Sequence, residues 1–354
     1  MSDRPDGSDQ PPDGGEPPRR LELHPLARIL SYCGTLLLVL NLSTLIVLTS
    51  YLAIRGETGD LTKRLEELSQ TVNAELLLVS YLVVGPVVWL WTRLYRIKIE
   101  GRSMRSLGFG PGGMRNTWIG IAIGALAPGL ILAAGFLSGV YGLADPSLDG
   151  STQPATTGTL MTMSLGTILK LLLLFVGFVL QSGSEELVLR GYVQRNMVEW
   201  KGPSRNLVWI LIVPSLLFAL FHGFNPDYSA IAAVNTVLIG VLFGAIVLAN
   251  GQLWTAIGLH AGWNFGLACI WSLPVSGLST HHLLPMAIRS EGSVTKMLFG
   301  DGYGPEGGLL CTAIVIAGMA WALPKAMDRW MVDGWGLGAE EVAAAAPTGD
   351  DSAR

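Results

Sequence analysis

The chain has 354 residues, of which half are hydrophobic and only 14% are charged, and its mean hydropathy is +0.46. Since soluble domains carry about 25% charged residues, this composition excludes an ordinary water-soluble protein and predicts a membrane protein. The small net charge of −4 does not indicate a nucleic-acid partner. Cys33, Cys269 and Cys311 lie far apart in apolar stretches, which is typical of buried small side chains rather than of a disulfide framework or zinc knuckle.

The two ends of the chain differ in composition from the rest. Residues 1–28 are rich in Pro, Gly and Asp and contain no apolar run, which predicts a disordered cytoplasmic tail. A cleaved signal peptide would carry its apolar region nearer the start, so none is predicted. Residues 335–354 predict a second disordered tail.

The apolar segments predict an all-α fold, a polytopic membrane bundle of about eight transmembrane helices. A span needs about 20 mostly apolar residues, and three of the segments form an N-terminal group within 29–143. We expect a catalytic core at 165–275, an outer loop at 276–308 and a last transmembrane helix within 309–330. The eight segments are 29–54, 74–95, 117–142, 167–184, 207–223, 231–249, 253–273 and 309–324.

The distribution of Lys and Arg predicts the orientation of the bundle. Basic residues cluster after the second, fourth and eighth spans, whereas the loop 143–166 contains none. This alternation predicts a multi-pass protein of the plasma membrane with both termini in the cytoplasm. Residues 55–73 mix basic and acidic side chains and predict a short amphipathic surface helix on the outer side.

The first candidate motif is EELVLR, at the end of the fourth apolar segment. Glu186 and Arg190 are four residues apart, so they share a helix face and can pair. Glu185 lies about 100° around the helix and is not neutralised by that pair. A carboxylate in an apolar bundle can serve as a general base. The alternative is a solvated helix end.

Two further motifs place histidines in apolar spans. In FALFH, Phe218 and His222 lie one helical turn apart, and in HAGWN, His260 and Asn264 do the same. Intramembrane polar residues normally face the bundle interior and are associated with function. The alternatives are an interfacial histidine in the first case and an interhelical hydrogen bond in the second.

Together, Glu185, His222, His260 and Asn264 suffice for a hydrolytic site. A glutamate can take a proton from water, while imidazole and carboxamide groups orient the water and stabilise the oxyanion. The same Glu185, His222 and His260 could instead hold a divalent metal such as zinc. No HExxH helix is present to favour that alternative.

The order EExxxR, FxxxH and HxxxN resembles the CAAX-protease and bacteriocin-processing (CPBP) family, which includes type II CAAX prenyl endopeptidases and lysostaphin-resistance-A-like proteins. The resemblance covers roughly residues 165–275. It implies an intramembrane endopeptidase in which Glu185 activates water with His222 as its partner. His260 and Asn264 would form the oxyanion site, and Glu186, Arg190 and Phe218 would support it.

The resemblance also implies that no cofactor is required, with zinc as the alternative. The expected partners are the lipid bilayer and a peptide or protein substrate, either lipidated or of the bacteriocin-leader type, and no nucleic acid. A non-catalytic scaffold of the same fold and a proton-coupled transporter are the alternative functions. His281 and His282 in the outer loop are predicted to be surface residues.

One difficulty concerns depth in the membrane. Simple spans place Glu185 near the cytoplasmic end of its helix and His222 near the outer end of the next. A single site requires that span 4 extend to about Arg195 or that span 5 continue past His222 toward Pro226. We expect both in part.

Overall fold

A computed structural model describes residues 23–54, 56, 74–143, 164–201, 207–278, 286–289 and 292–333. This part of the chain is predominantly helical, which confirms the predicted all-α membrane bundle. Four sets of sequence predictions lie outside the described residues: the surface helix at 55–73 except Gly56, most of the N-terminal tail, the C-terminal tail, and His281 with His282.

The described helices follow the order of the predicted spans. One two-stranded antiparallel sheet joins Tyr141–Leu143 (β1) to Met286–Ile288 (β2). The helices are α1 (Pro25–Ile54), α2 (Ala74–Leu94), α3 (Gly113–Leu137), α4 (Leu165–Glu186), α5 (Arg195–Lys201), α6 (Leu207–His222), α7 (Ala230–Asn250), α8 (Trp254–Phe265), α9 (Ser293–Phe299) and α10 (Leu309–Asp333).

Among the described residues, six helical segments are long and apolar enough to cross a membrane, and each falls on a predicted span. The other two predicted spans correspond to α6, which has 16 residues, and to α8, which has 12 and continues as a π-helical turn over Gly266–Ile270. Eight crossings therefore stay a prediction. Helix α1 begins at Pro25, four residues before the predicted start of the first span.

Most of the long helices expose apolar side chains around the outside of the bundle. Leu38 on α1, Leu126 on α3 and Leu172 on α4 are each more than half exposed. In contrast, two thirds of the apolar window of α7 is buried, so α7 is the central helix. An apolar exterior around a packed centre is the arrangement that a lipid environment stabilises, and the protein is a multi-pass membrane protein.

Glycines hold α8 against α3. A Cβ atom added at Gly120 would lie 2.5 Å from the carbonyl oxygen of Thr255, and one at Gly124 would overlap that of Leu259. On the facing helix, Gly258 and Gly262 meet the backbone of α3 equally closely. Spaced four residues apart on both helices, these glycines allow the backbone contact typical of membrane helix pairs. They fix the helix that carries His260 and Asn264.

The bundle has two distinct ends. The loop end consists of 138–143, 223–229, 272–278 and 286–308 in their described parts, and a hydrogen bond from Asn225 to Ser276 O joins two of these segments. The basic end consists of 95–108, 195–201 and 250–254, where Arg102 contacts Glu199.

Two apolar cores fill the bundle, one toward each end. The core toward the basic end includes Leu187 and Ile257, and the core toward the loop end includes Phe178 and Trp263. Cys269 and Cys311 are buried in the second core, as the sequence predicts. Between the two cores, α4 carries Gln181, Ser182, Ser184, Glu185 and Glu186, and α8 carries His260. A polar layer therefore crosses the bundle at the boundary.

Candidate active site

Glu185 and Glu186 lie in the middle of a continuous helix. At Leu187, α4 passes into a π-helical segment, Leu187–Gln194, which continues into α5. Short π-helical insertions are frequent at functional sites. The expectation that the fourth span extends to about Arg195 is confirmed, since the helix continues to Lys201. The expected continuation of the fifth span toward Pro226 is wrong: α6 ends at His222 and is followed by Gly223, the residue type most common just after a helix C-terminus.

The predicted pair between Glu186 and Arg190 is confirmed. The Nη1 atom of Arg190 lies 2.8 Å from Oε1 of Glu186, and neither side chain is exposed. The second Arg190 nitrogen, Nη2, donates to the carbonyl oxygen of Gly240 on α7 at 3.1 Å. The rings of Phe218 and Phe243 lie 4.9 and 5.5 Å from the guanidinium carbon. Arg190 therefore joins α4 to α6 and α7 in the polar layer.

His260 lies between the two glutamates. Its Nδ1 atom is 2.9 Å from Oε1 of Glu186, and its Nε2 atom is 3.7 Å from Oε2 of Glu185. Because the Glu186 carboxylate is held by Arg190, it accepts the Nδ1–H of His260 and leaves Nε2 directed at Glu185. The buried Oε2 of Glu185 accepts no hydrogen bond from the described residues. This carboxylate oxygen and Nε2 are the two acceptors that face each other.

Gln181, one turn before Glu185, was not predicted from the sequence. Its Nε2 donates to Oε1 of Glu185 at 2.5 Å, and its Oε1 accepts from Nδ2 of Asn264 at 3.2 Å. Asn264 Nδ2 also lies 3.4 Å from the hydroxyl of Ser182. Gln181 thus connects the glutamate of α4 to the asparagine of α8. The spacing of four residues between Gln181 and Glu185 was the sequence feature that could have predicted this contact.

His222 approaches the polar layer from α6. Its Nδ1 atom lies 2.8 Å from the carbonyl oxygen of Phe218, an acceptor only, so Nδ1 carries the proton of this hydrogen bond. The Phe218 ring lies between the two imidazoles, 4.3 Å from the ring centre of His222 and 5.8 Å from that of His260. Among the described residues, the side-chain hydrogen bond of His222 is to Phe218 rather than to Glu185.

A small cavity brings three of the predicted residues together. His222, His260 and Asn264 line it, and its volume of about 20 Å³ accommodates a water molecule. Glu185 is not one of the lining residues, but it contacts His260, which is, and Gln181, and its side chain is 32% exposed. The remaining lining residues are Phe218, Thr236, Ile239, Phe243, Trp263, Ser276 and Glu306.

Glu306 is the second residue that the sequence analysis missed. It belongs to a short 3₁₀ turn, Pro305–Gly307, at the loop end, and it is only 6% exposed. Its Oε1 accepts from the indole of Trp263 at 2.8 Å, and its Oε2 accepts from the backbone N–H and the hydroxyl of Ser276. Burial raises the pKa of the neighbouring Tyr303 phenol, and the Glu306 carboxylate raises it further. A lone glutamate between proline and glycine in a loop carries no sequence signal for this position.

The three predicted metal ligands are not gathered around one point in the described part of the chain. Among the described residues, no three His, Cys, Asp or Glu side chains lie in an arrangement that could hold a metal ion. Within the predicted ligand set of Glu185, His222 and His260, the Nδ1 atoms of both histidines are taken by hydrogen bonds to other groups. Only the Nε2 atoms and the Glu185 carboxylate remain as donors.

The fold and the site define a class of protein: a multi-pass membrane bundle with a buried glutamate, histidine and asparagine cluster between its central helices. Residues 166–266 match the family model described as type II CAAX prenyl endopeptidase Rce1-like. The match supports the family resemblance over this segment and a CAAX-type intramembrane protease function. It contains all three motifs and coincides with α4 to α8. No curated protein and no solved structure shows a significant match to the chain.

Proposed function

We propose that the protein is an intramembrane endopeptidase in which Glu185 activates a water molecule for attack on a peptide bond. The observation that carries the proposal is the pair of facing acceptors, Oε2 of Glu185 and Nε2 of His260, 3.7 Å apart beside the cavity. A water molecule at the cavity edge can donate one hydrogen to each. Its oxygen lone pair is then directed away from both, toward a substrate carbonyl.

The chemistry proceeds in two steps. Glu185 takes a proton from the water as its oxygen bonds to the carbonyl carbon, which gives a tetrahedral oxyanion. The carbon–nitrogen bond then breaks, and the protonated Glu185 returns the proton to the leaving amine. The products are a new carboxylate and a new amino terminus, and no other reactant is consumed.

The hydrogen bonds favour a different division of roles between the histidines from the one that the family resemblance implies. His260 is the imidazole that contacts Glu185, which supports a role in holding the water. His222 lies across the cavity and, when protonated at both nitrogens, can donate its Nε2–H to the oxyanion. Asn264 lines the same cavity, where its carboxamide can bind the substrate amide.

Glu186 and Arg190 support the site without contacting substrate. Their ion pair fixes one oxygen of Glu186 on the Nδ1–H of His260, and this orients Nε2. A carboxylate that orients an imidazole through its other nitrogen is a recurrent catalytic arrangement. The metal-dependent alternative would use the same Glu185 carboxylate and the two Nε2 atoms.

The bilayer location of the site supports a membrane-associated peptide or protein as substrate. Lipidated peptides and leader peptides of the bacteriocin type are both consistent with it. The basic end carries Arg102, Arg105 and other cations, which supports a cytoplasmic position for that end and for both termini, in the plasma membrane.

The test is a comparison of new amino termini in membrane proteins from deletion cells that express wild type, Glu185→Gln or Asp328→Asn. Asp328 is an exposed carboxylate on α10, so its amide variant is the matched control. We expect a set of termini produced by wild type and Asp328→Asn and lost with Glu185→Gln, since removing a general base lowers rates by about 10²–10⁴-fold. The same set of termini with Glu185→Gln would overturn the proposal. Rescue of the deletion phenotype by that variant would indicate a scaffold.

A further inference from the structure

We propose that Glu306 is a positioning residue of the site, which sets the spacing between the helices of His222 and His260 from the loop end. The inference rests on the proposed endopeptidase function. Glu306 lines the same cavity as both histidines, although it lies 46 residues beyond His260 and outside the 166–266 domain.

One oxygen of Glu306 is bound to the helix of His260. Oε1 accepts the indole N–H of Trp263 at 2.8 Å, and Trp263 lies on α8 between His260 and Asn264. Trp263 is mostly buried and packs in the core toward the loop end. Its indole is therefore held at both its apolar ring and its polar edge.

The other oxygen leads to the helix of His222. Oε2 accepts the backbone N–H of Ser276 at 2.5 Å and its hydroxyl at 2.8 Å. The carbonyl oxygen of Ser276 accepts from Nδ2 of Asn225 at 2.9 Å, and the Asn225 N–H in turn donates to the carbonyl oxygen of His222. A chain of hydrogen bonds thus runs from Glu306 to the last residue of α6.

The backbone at Ser276 and at Glu306 also contributes to this arrangement. Ser276 has a φ of +49°, a conformation that non-glycine residues rarely adopt. The carbonyl oxygen of Glu306 accepts from Asn235, a buried residue of the central helix α7, at 2.8 Å. Glu306 is therefore fixed to α7 by its main chain and to α6 and α8 by its side chain.

The buried Glu306 carboxylate accepts three hydrogen bonds, and their loss would affect more than the conformation of the loop. Hydrogen bonds to a charged group are about twice as strong as those between neutral groups, and all three donors would be left unpaired if the carboxylate were lost. Since His222 and His260 face one cavity from separate helices, their separation depends on contacts of this kind. A shift of about 1 Å between reacting groups can lower a rate by roughly 100-fold.

The experiment uses the full-length protein in proteoliposomes and a quenched peptide that spans the cleavage site found for the wild type. Glu306→Gln keeps the shape and can still accept from Trp263, but its amide N–H₂ faces the Ser276 N–H. We expect kcat to fall about 10- to 100-fold with KM within about threefold, since the variant misplaces groups without removing substrate contacts. Asp301→Asn is the matched control. The Asp301 side chain belongs to the same loop and is 65% exposed, so its replacement should leave kcat unchanged.

A second variant separates positioning from folding. Asn225→Ala breaks the same hydrogen-bond chain nearer His222, so Glu306→Gln and Asn225→Ala together should lower kcat little more than the stronger single change. Hydrogen–deuterium exchange of 272–278 should accelerate in Glu306→Gln and not in Asp301→Asn. Multiplicative effects on kcat, or wild-type kcat in Glu306→Gln, would overturn the inference.

The Glu185→Gln protein is measured in parallel. If it cleaves as fast as wild type, the proposed catalytic function fails, and the positioning role fails with it. If it is inactive while Glu306→Gln cleaves at the wild-type rate, only the positioning role fails.

Discussion

The Nδ1 atom of His260 lies 2.9 Å from the same Glu186 oxygen that holds Arg190. One carboxylate oxygen therefore neutralises a cation and orients an imidazole at once. In the described part of the chain, the adjacent Glu185 forms no ion pair with Lys or Arg and instead faces the other imidazole nitrogen. Two neighbouring glutamates thus have different environments because they lie about 100° apart on one helix.

Breaking the pair between Glu186 and Arg190 should destabilise the bundle. Glu186→Gln leaves a wholly buried guanidinium without its counter-charge, which costs about 3–5 kcal/mol when one partner of a buried pair is removed. The measurement is the unfolding free energy in detergent, with Glu186→Leu combined with Arg190→Met as the control. That double variant should recover most of the stability yet remain inactive, because His260 loses its orienting carboxylate. A double variant no more stable than Glu186→Gln would contradict this account.

Gln181 should matter for rate and little for stability. Gln181→Leu removes the donor to Glu185 and the acceptor for Asn264, so both side chains gain freedom. We expect kcat to fall about 10- to 100-fold with a change in unfolding free energy of about 1 kcal/mol. Gln252→Leu is the matched control, since Gln252 bonds to Asn116 at the basic end, away from the site. Equal kcat in both variants would show that the amide does not position Glu185.

The sequence predicted the helices and the members of the site better than it predicted their contacts. Apolar length located the six long helical segments, and polar residues within apolar segments pointed to Glu185, His222, His260 and Asn264 as candidates. The pairing of Glu186 with Arg190 followed from helix geometry alone. These features depend on local spacing along one helix, which a sequence displays directly.

The missing parts of the site depend on contacts between distant segments. Glu306 meets Trp263 across 43 residues of sequence, and nothing near Glu306 indicates burial. Which histidine would face Glu185 depended on how α6 and α8 pack against α4. The π-helical segment after Glu186 was also missed, since its side chains have the same apolar pattern as an α-helix.

The glycine contact between α3 and α8 had a sequence signal, because Gly120 with Gly124 and Gly258 with Gly262 are both spaced by four. Gly262→Ala should separate the helices, since its Cβ would overlap the backbone of Ile121. We expect a loss of about 1–3 kcal/mol in unfolding free energy, as for overpacked cores, together with reduced cleavage because α8 carries His260. Gly34→Ala on α1 is the control: a Cβ there meets nothing within 4 Å, and alanine should stabilise the helix by up to about 1 kcal/mol. Equal stability of the two variants would contradict a tight contact at Gly262.

The orientation proposed for the bundle can be tested by placing single cysteines at its two ends. Arg105 is exposed at the basic end, and Asp301 is exposed at the loop end. A membrane-impermeant maleimide added to intact cells should label Asp301→Cys and leave Arg105→Cys unlabelled until the membrane is opened, because the basic loops are retained in the cytoplasm. The background for both is a protein in which Cys33, Cys269 and Cys311 are replaced by alanine or serine and which still cleaves substrate. Labelling of Arg105→Cys in intact cells would reverse the orientation and place Glu306 and the loop end on the cytoplasmic side.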